Sequence, residues 1–311
     1  MDVTINAILT AVGLAMLCFG GNWLVSGGVV IAKKLRISNL VIGMTVVAYG
    51  TSTPELAASV AAAGEHSGII LGNIVGSNIA NVGMVIGVAA IIVPLAVSKS
   101  TIRKEIPIML GVSLLLVALS VDGELSQYDG VILLVLLIVF SIFTYKDAKK
   151  QRDENPEEID GSNNGVYLKA AVLIVIGMVL LGSGAYLTVE NAVVLAKEFG
   201  LSEKIIGLTV IAIGTSLPEL ITSVIAIRKG HTDIGVGNII GSNIYNILMI
   251  MGVGAALGSV LISSDVFIDY AIMIAFSLSL LAAIKFGVIT KVMGIILTIF
   301  YVVYLVATFF I

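Results

Sequence analysis

Two glutamates, Glu55 and Glu219, lie inside long apolar stretches, each directly after a proline. A carboxylate is costly at membrane depth, so each is a candidate ligand. Around the first, Thr51, Glu55 and Ser59 recur at i, i+4 and i+8, with Ser52 beside Thr51. On a helix that spacing aligns hydroxyl and carboxylate oxygens along one stripe. The second copy reads Thr215, Ser216, Glu219 and Ser223. Pro54 and Pro218 lack an N–H, which releases the carbonyls of Gly50 and Gly214 and opens the helix. Nearby carbonyls, including those of Ala48 and Ala212, are then expected to turn toward a ligand. A further stripe of Asn73, Ser77 and Asn81 recurs as Asn238, Ser242 and Asn246. Every donor is an oxygen, the set that suits hard cations such as calcium or sodium, and the two glutamates supply the charge to balance one divalent ion. Cysteine and histidine are missing from these stripes, which leaves zinc or copper with little support.

The residues are deployed twice. GMTVVAYGTSTPELAASV at 43–60 returns as GLTVIAIGTSLPELITSV at 207–224 with 12 of 18 identities, and GNIVGSNIAN at 72–81 returns as GNIIGSNIYN at 237–246 with 8 of 10. The likeness extends to the stretches from Val29 and Val193, so a whole half is duplicated.

The elements that must hold these residues are membrane helices. The chain has 311 residues, 58% hydrophobic and 12% charged, with a mean hydropathy of +1.11, outside the range of a soluble domain. Apolar runs predict ten spans near 3–31, 38–63, 68–97, 105–121, 128–145, 166–195, 202–227, 234–262, 267–284 and 287–310. The first has no basic residue before it and no small-residue cleavage site, so it reads as a span and not a removed signal. The division is a first five-helix repeat at 1–145, a linker at 146–165 and a second repeat at 166–311. Five is odd, so the second copy enters from the opposite side and the repeats are inverted. The fold class is therefore an all-α polytopic membrane protein of ten helices, with spans 2 and 7 broken.

Of 17 basic residues, 15 fall in one set of alternate loops, leaving Lys197 and Lys204 on the other side. The positive-inside rule then puts both termini outside and the 146–165 loop in the cytoplasm. That loop is charged and reads as a flexible linker. Its acids, Asp153, Glu154, Glu157, Glu158 and Asp160, lack the spacing of a calcium-binding loop. His66 and His231 fall in turns, and Cys18 reads as a small core residue. Glu190 is a weaker candidate for admitting cations at the mouth, while Trp23 and Tyr245 read as packing aromatics. The chain has no separate nucleic-acid module and no persuasive catalytic constellation.

At the GTSxPE and GNxxGSN elements the chain resembles the cation/calcium exchanger superfamily, in particular the prokaryotic sodium/calcium exchanger family. The resemblance implies antiport of sodium against calcium by alternating access at the plasma membrane, extruding calcium. It assigns Glu55 and Glu219 to shared calcium and sodium coordination. Thr51, Ser52, Thr215, Ser216 and the Ala48 and Ala212 carbonyls complete the sites, and Ser77 and Ser242 fall at sodium-ligand positions. Asn81 matches the family, whereas Asn246 stands where well-known members carry aspartate. The resemblance also marks spans 1 and 6 as a pair that slides against the other eight. Besides the ions and the bilayer it implies no cofactor, nucleic acid or obligate protein partner. A proton/calcium or broader cation exchanger is the alternative, followed at a distance by an ion channel; an intramembrane enzyme is weaker still.

Overall fold

The computed structural model describes residues 3–64, 66–98, 100–153, 164–200, 212–282 and 287–308. The expected ten spans appear along the chain, the seventh only from Ala212. Span 1 is α1 (Val3–Leu35). Span 2 contains α2 (Asn39–Ile42), a π-helical turn at Gly43–Val47, α3 (Ala48–Thr51) and α4 (Thr53–Ala62). Span 3 runs through α5 (Ser67–Ala80), a π turn at Asn81–Ile86 and α6 (Gly87–Ile92). Span 4 is a π turn at Thr101–Glu105 followed by α7 (Ile106–Leu119), and span 5 is α8 (Gln127–Asp153). The second repeat begins with α9 (Asn164–Glu198). It continues through α10 (Ala212–Thr215), α11 (Leu217–Arg228), α12 (Thr232–Tyr245), a π turn at Asn246–Met251 and α13 (Gly252–Gly258). It closes with α14 (Val266–Ser279) and α15 (Lys291–Thr308).

Burial sorts the spans. The most apolar windows of spans 3 and 8 are 83% and 89% buried, against 17–28% for the four other long spans. Spans 3 and 8 therefore form the centre, and spans 1, 5, 6 and 10 present apolar side chains to lipid. The outer location of α1 corrects one expectation: Cys18 is exposed on the helix surface. In a bilayer an apolar residue is as well placed against lipid as against protein, so hydropathy does not distinguish the two.

Spans 1 and 6 lie side by side and antiparallel along small residues spaced seven apart. A Cβ at Gly20 would stand 2.9 Å from the Gly177 carbonyl, and Gly13 and Gly27 approach Gly184 and Ala170 in the same way. Span 2 meets span 8 as closely, since a Cβ at Gly241 would stand 2.7 Å from Met44 Cα. These contacts need glycine.

Two short antiparallel ladders reveal the inverted relation. Leu95–Ala96 (β1) pairs with Val288–Ile289 (β4), and Glu124–Leu125 (β2) pairs with Val260–Leu261 (β3). In the duplicated numbering β1 corresponds to β3 and β2 to β4. The ladders flank opposite ends of α7, and each pairs a strand of one repeat with the non-equivalent strand of the other, so equivalent strands lie at opposite ends. Two-residue strands carry no readable alternation in sequence.

The first residues of the stretch read as a linker are helical. Helix α8 continues past Tyr145 to Asp153, and Lys104 Nζ donates to Asp147 Oδ1 at 2.8 Å along the way. Lysine and alanine sustain a helix beyond the apolar run. Residues Glu154, Glu157, Glu158 and Asp160 lie outside the described residues, as do Lys204 and the start of span 7.

Candidate cation site between the repeats

Breaks in spans 2 and 7 place the glutamates. Ser52 has φ −84° and ψ 4°, and Ser216 has φ −90° and ψ 4°. A proline follows at the second residue of α4 and of α11, where a missing N–H is tolerated. The breaks are one residue wide: Ser52 N still donates to Ala48 O at 3.0 Å and Leu56 N to Ser52 O at 3.1 Å, while Leu220 N donates to Ser216 O at 3.0 Å. Each break leaves Glu55 or Glu219 in the first turn of a half-helix. The partial positive charge there offsets part of the cost of burying a carboxylate.

The narrow break alters the expectation for Ala48. Its carbonyl keeps the helical bond from Ser52 N, with Thr51 Oγ1 3.2 Å away, so it stays directed along the helix. Ala212 begins the described part of span 7. Both Glu55 and Glu219 are buried, at 2% and 1% exposure, and are close enough to interact.

Side chains from both repeats meet at Glu219. Ser52 Oγ donates to Glu219 Oε1 at 3.4 Å, and Ser242 Oγ donates to the same oxygen at 3.5 Å. Thr51 Oγ1 lies 3.1 Å from Asn238 Oδ1, to which it donates, and 3.3 Å from Ser242 Oγ. Asn73 and Asn238 clamp the half-helices. Asn73 Nδ2 donates to Glu55 O at 3.2 Å and Ser59 Oγ at 3.1 Å, while Asn238 Nδ2 donates to Ser223 Oγ at 2.9 Å. Ser59 and Ser223 thus serve the clamps. Thr215 lies on α10, immediately before the break at Ser216.

Among the described residues, a further set of oxygens is buried without a hydrogen-bond partner: Glu55 Oε2, Glu219 Oε2, Ser77 Oγ, Ser216 Oγ, Asn81 Oδ1 and Asn246 Oδ1, with Asn73 Oδ1 beside them. Each such group costs about 1–3 kcal/mol unless something answers it. Carboxylate and amide oxygens accept only, so a cation or a water can answer them, or, between the two carboxyls, a shared proton. The half-helix carrying Glu55 packs on the π turn that starts at Asn246, and the one carrying Glu219 packs on the π turn that starts at Asn81. The arrangement is a two-fold set of oxygens around two carboxylates, suited to holding and exchanging hard cations.

The family model described as sodium/calcium exchanger protein matches residues 5–146 and again residues 169–310. The chain belongs to the sodium/calcium exchanger family. It is 38% identical over 254 residues to Inner membrane protein YrbG of Escherichia coli (strain K12), covering 79% of this chain and 78% of that protein. Sodium/calcium exchanger MaX1 of Methanosarcina acetivorans is 34% identical over 99% of this chain and 100% of its own. A structure of the sodium-calcium exchanger NCX_Mj, soaked with sodium and strontium, superposes with a TM-score of 0.87 at 34% identity, covering 98% of this chain and 99% of that one. The likeness includes the broken helices and the inverted ten-span plan, and it makes this exchanger a transporter and not an enzyme.

Several features escaped sequence reading. The π turns after Asn81 and Asn246 have no composition signal, although such turns gather at functional sites. Asn78 and Asn243, which join the repeats, were visible only as the last residues of the duplicated GSN. Glu190 is exposed on α9. Tyr245 packs edge-on to Tyr49 and Phe140, both with ring centroids at 6.2 Å, in agreement with its reading as a packing aromatic.

The prolines provide a direct test of the breaks. In Pro54→Ala or Pro218→Ala a restored N–H can recapture the Gly50 or Gly214 carbonyl and straighten the span. Exchange is expected to fall about tenfold, the worth of roughly one hydrogen bond, with no loss of thermal stability. Unchanged helix geometry with parental transport would reduce the prolines to packing.

Proposed function

We infer that this exchanger is a secondary active antiporter that moves sodium against calcium across the plasma membrane by alternating access. The observation that carries the reading is the buried pair Glu55 and Glu219, on half-helices packed against the π turns that begin at Asn246 and Asn81, whose amide oxygens are partnerless. A cavity with two fixed carboxylates opposes crossing the bilayer empty. One calcium or several sodium ions neutralise it, so only the loaded protein reorients. Sodium and calcium compete because they use the same oxygens.

Glu55 and Glu219 coordinate both ions. Thr51, Ser52, Thr215, Ser216, Ser77, Ser242, Asn81 and Asn246 supply neutral oxygens. The Ala48 and Ala212 carbonyls join when their helices loosen. Spans 1 and 6 slide as the moving pair, favoured by their length and glycine seam. Residues 1–145 and 166–311 form the two repeats around the 146–165 linker. Both termini face outside and the linker faces the cytoplasm, a reading supported by the placement of the basic loops. His231 lies in a turn where burial, and then Lys33 and Lys229, push its pKa down.

In proteoliposomes, calcium uptake should follow an outward-directed sodium gradient. Uptake driven by a proton gradient and indifferent to sodium would replace the reading with proton/calcium exchange. Orientation is tested in a Cys18→Ser background with a membrane-impermeant maleimide: Ser263→Cys should react from outside intact cells and Lys146→Cys only after permeabilisation. The reverse pattern would invert the topology.

A further inference from the structure

Asn78 and Asn243 are each 1% exposed, and their side-chain hydrogen bonds run between the repeats. Asn78 Nδ2 donates to Asn243 O at 3.3 Å and to Met273 Sδ on α14 at 3.7 Å. Reciprocally, Asn243 Nδ2 donates to Asn78 O at 3.5 Å and to Met109 Sδ on α7 at 3.6 Å. The two side-chain oxygens are used crosswise: Asn78 Oδ1 accepts from Asn246 Nδ2 at 2.9 Å, and Asn243 Oδ1 accepts from Asn81 Nδ2 at 3.0 Å. The whole network is two-fold symmetric, each bond having its counterpart in the other repeat.

After these bonds, Asn81 Oδ1 and Asn246 Oδ1 are left without a hydrogen-bond partner. A primary amide is planar, with a donor side and an acceptor side, and the network decides which way it faces. Turning Asn246 over would set its oxygen against Asn78 Oδ1 and aim an N–H where the free oxygen now stands. Oxygen against oxygen and N–H against a cation are both repulsive. The present orientation is therefore imposed from the opposite repeat.

We propose that Asn78 and Asn243 are positioning residues for ion exchange, locking Asn246 and Asn81 crosswise so that an amide oxygen, and not an N–H, faces the transported ions. They do this without touching the ions. The assignment rests on the antiport reading, which makes Asn81 and Asn246 ion-facing. It also binds spans 3 and 8 into one unit, so reorientation is left to the helices around them.

The test exploits a difference between an amide and a carboxylate. Aspartate presents oxygen whichever way it is turned, so it needs no bracket. Calcium titration of the purified full-length protein is the readout, with calcium alone as the probe. Asn78→Ala and Asn243→Ala should each raise the half-saturating calcium concentration about tenfold, the order of one hydrogen bond. If either alanine variant does not fold, the corresponding leucine variant fills the volume while still lacking the acceptor.

Rescue should be crossed. Adding Asn246→Asp to Asn78→Ala should bring affinity back to that of Asn246→Asp alone, and Asn81→Asp should do the same for Asn243→Ala. The uncrossed pairs, Asn78→Ala with Asn81→Asp and Asn243→Ala with Asn246→Asp, should stay weak. A purely structural role would show no such pairing. Parental affinity in the alanine variants, or equal rescue by crossed and uncrossed partners, would overturn the proposal. Failure of the antiport reading is distinguishable, because it would appear in the parent protein as a lack of sodium-dependent calcium exchange.

Discussion

Glu55→Gln and Glu219→Gln are each expected to lower sodium-driven calcium uptake by on the order of a hundredfold or more. Removing one partner from a buried charged set costs about 3–5 kcal/mol in comparable cases, because the remaining charge loses its counterpart. Here the counterpart is the ion. With one carboxylate the cavity no longer balances a divalent cation, and the surviving glutamate cannot hold calcium by itself. Folding should survive. Glutamine matches the size of glutamate, and in Glu219→Gln the new amide carbonyl can still accept the bonds that Ser52 and Ser242 give to Glu219 Oε1. Loss of a buried charge removes a desolvation penalty, so the thermal midpoint should hold or rise. Uptake in proteoliposomes and thermal unfolding, measured on the same preparations, separate the two effects. Near-parental transport in either variant would remove that residue from the site.

Asn246→Asp is the second change with a large expected effect. The parent places a neutral amide oxygen here, and Asn246 Oδ1 is buried and without a partner. Aspartate would add a titratable acceptor on the π turn packed against the Glu55 half-helix, so protons would compete with metal ions for the cavity. Exchange should become distinctly steeper in pH than in the parent, and the sodium concentration that half-inhibits calcium uptake should shift severalfold, about the effect of 1 kcal/mol. Asn246→Ala removes the oxygen without adding charge and should weaken sodium competition with no new pH dependence. If both variants matched the parent across pH in calcium affinity and sodium competition, Asn246 would lie outside the ion path.

Why the chemistry was legible before the fold is clear from Glu55. A carboxylate in an apolar run is tolerated only with a strong reason, and finding it again at Glu219 with the same proline, threonines and serines makes the reason shared. Asn73 and Asn238 were readable as polar residues of the central spans, but their part was not. Only packing shows that they hold Ser59 and Ser223, and so fix the half-helices that carry the glutamates. Ala48 is the converse case. Its carbonyl was expected to turn to the ion, and the helix keeps it because one missing N–H breaks the span by a single residue.

By itself the sequence determined the solvent, the ten spans, the inverted duplication and the oxygen inventory, because each follows from local composition or from comparison of the chain with itself. Hydropathy is read within a window of one span, and a repeat is read from identity at a fixed offset. Tertiary structure alone decided which of those oxygens remain free. Asn81 and Asn246 keep an oxygen open because residues 162 and 168 positions away take their N–H groups. It also decided that Cys18 faces outward and that spans 3 and 8, no more apolar than the rest, lie at the centre. The physical reason is common to both. In a bilayer, lipid and protein interior are equally apolar, so location is set by close packing and hydrogen-bond partnership between distant segments, neither of which is encoded in local hydropathy.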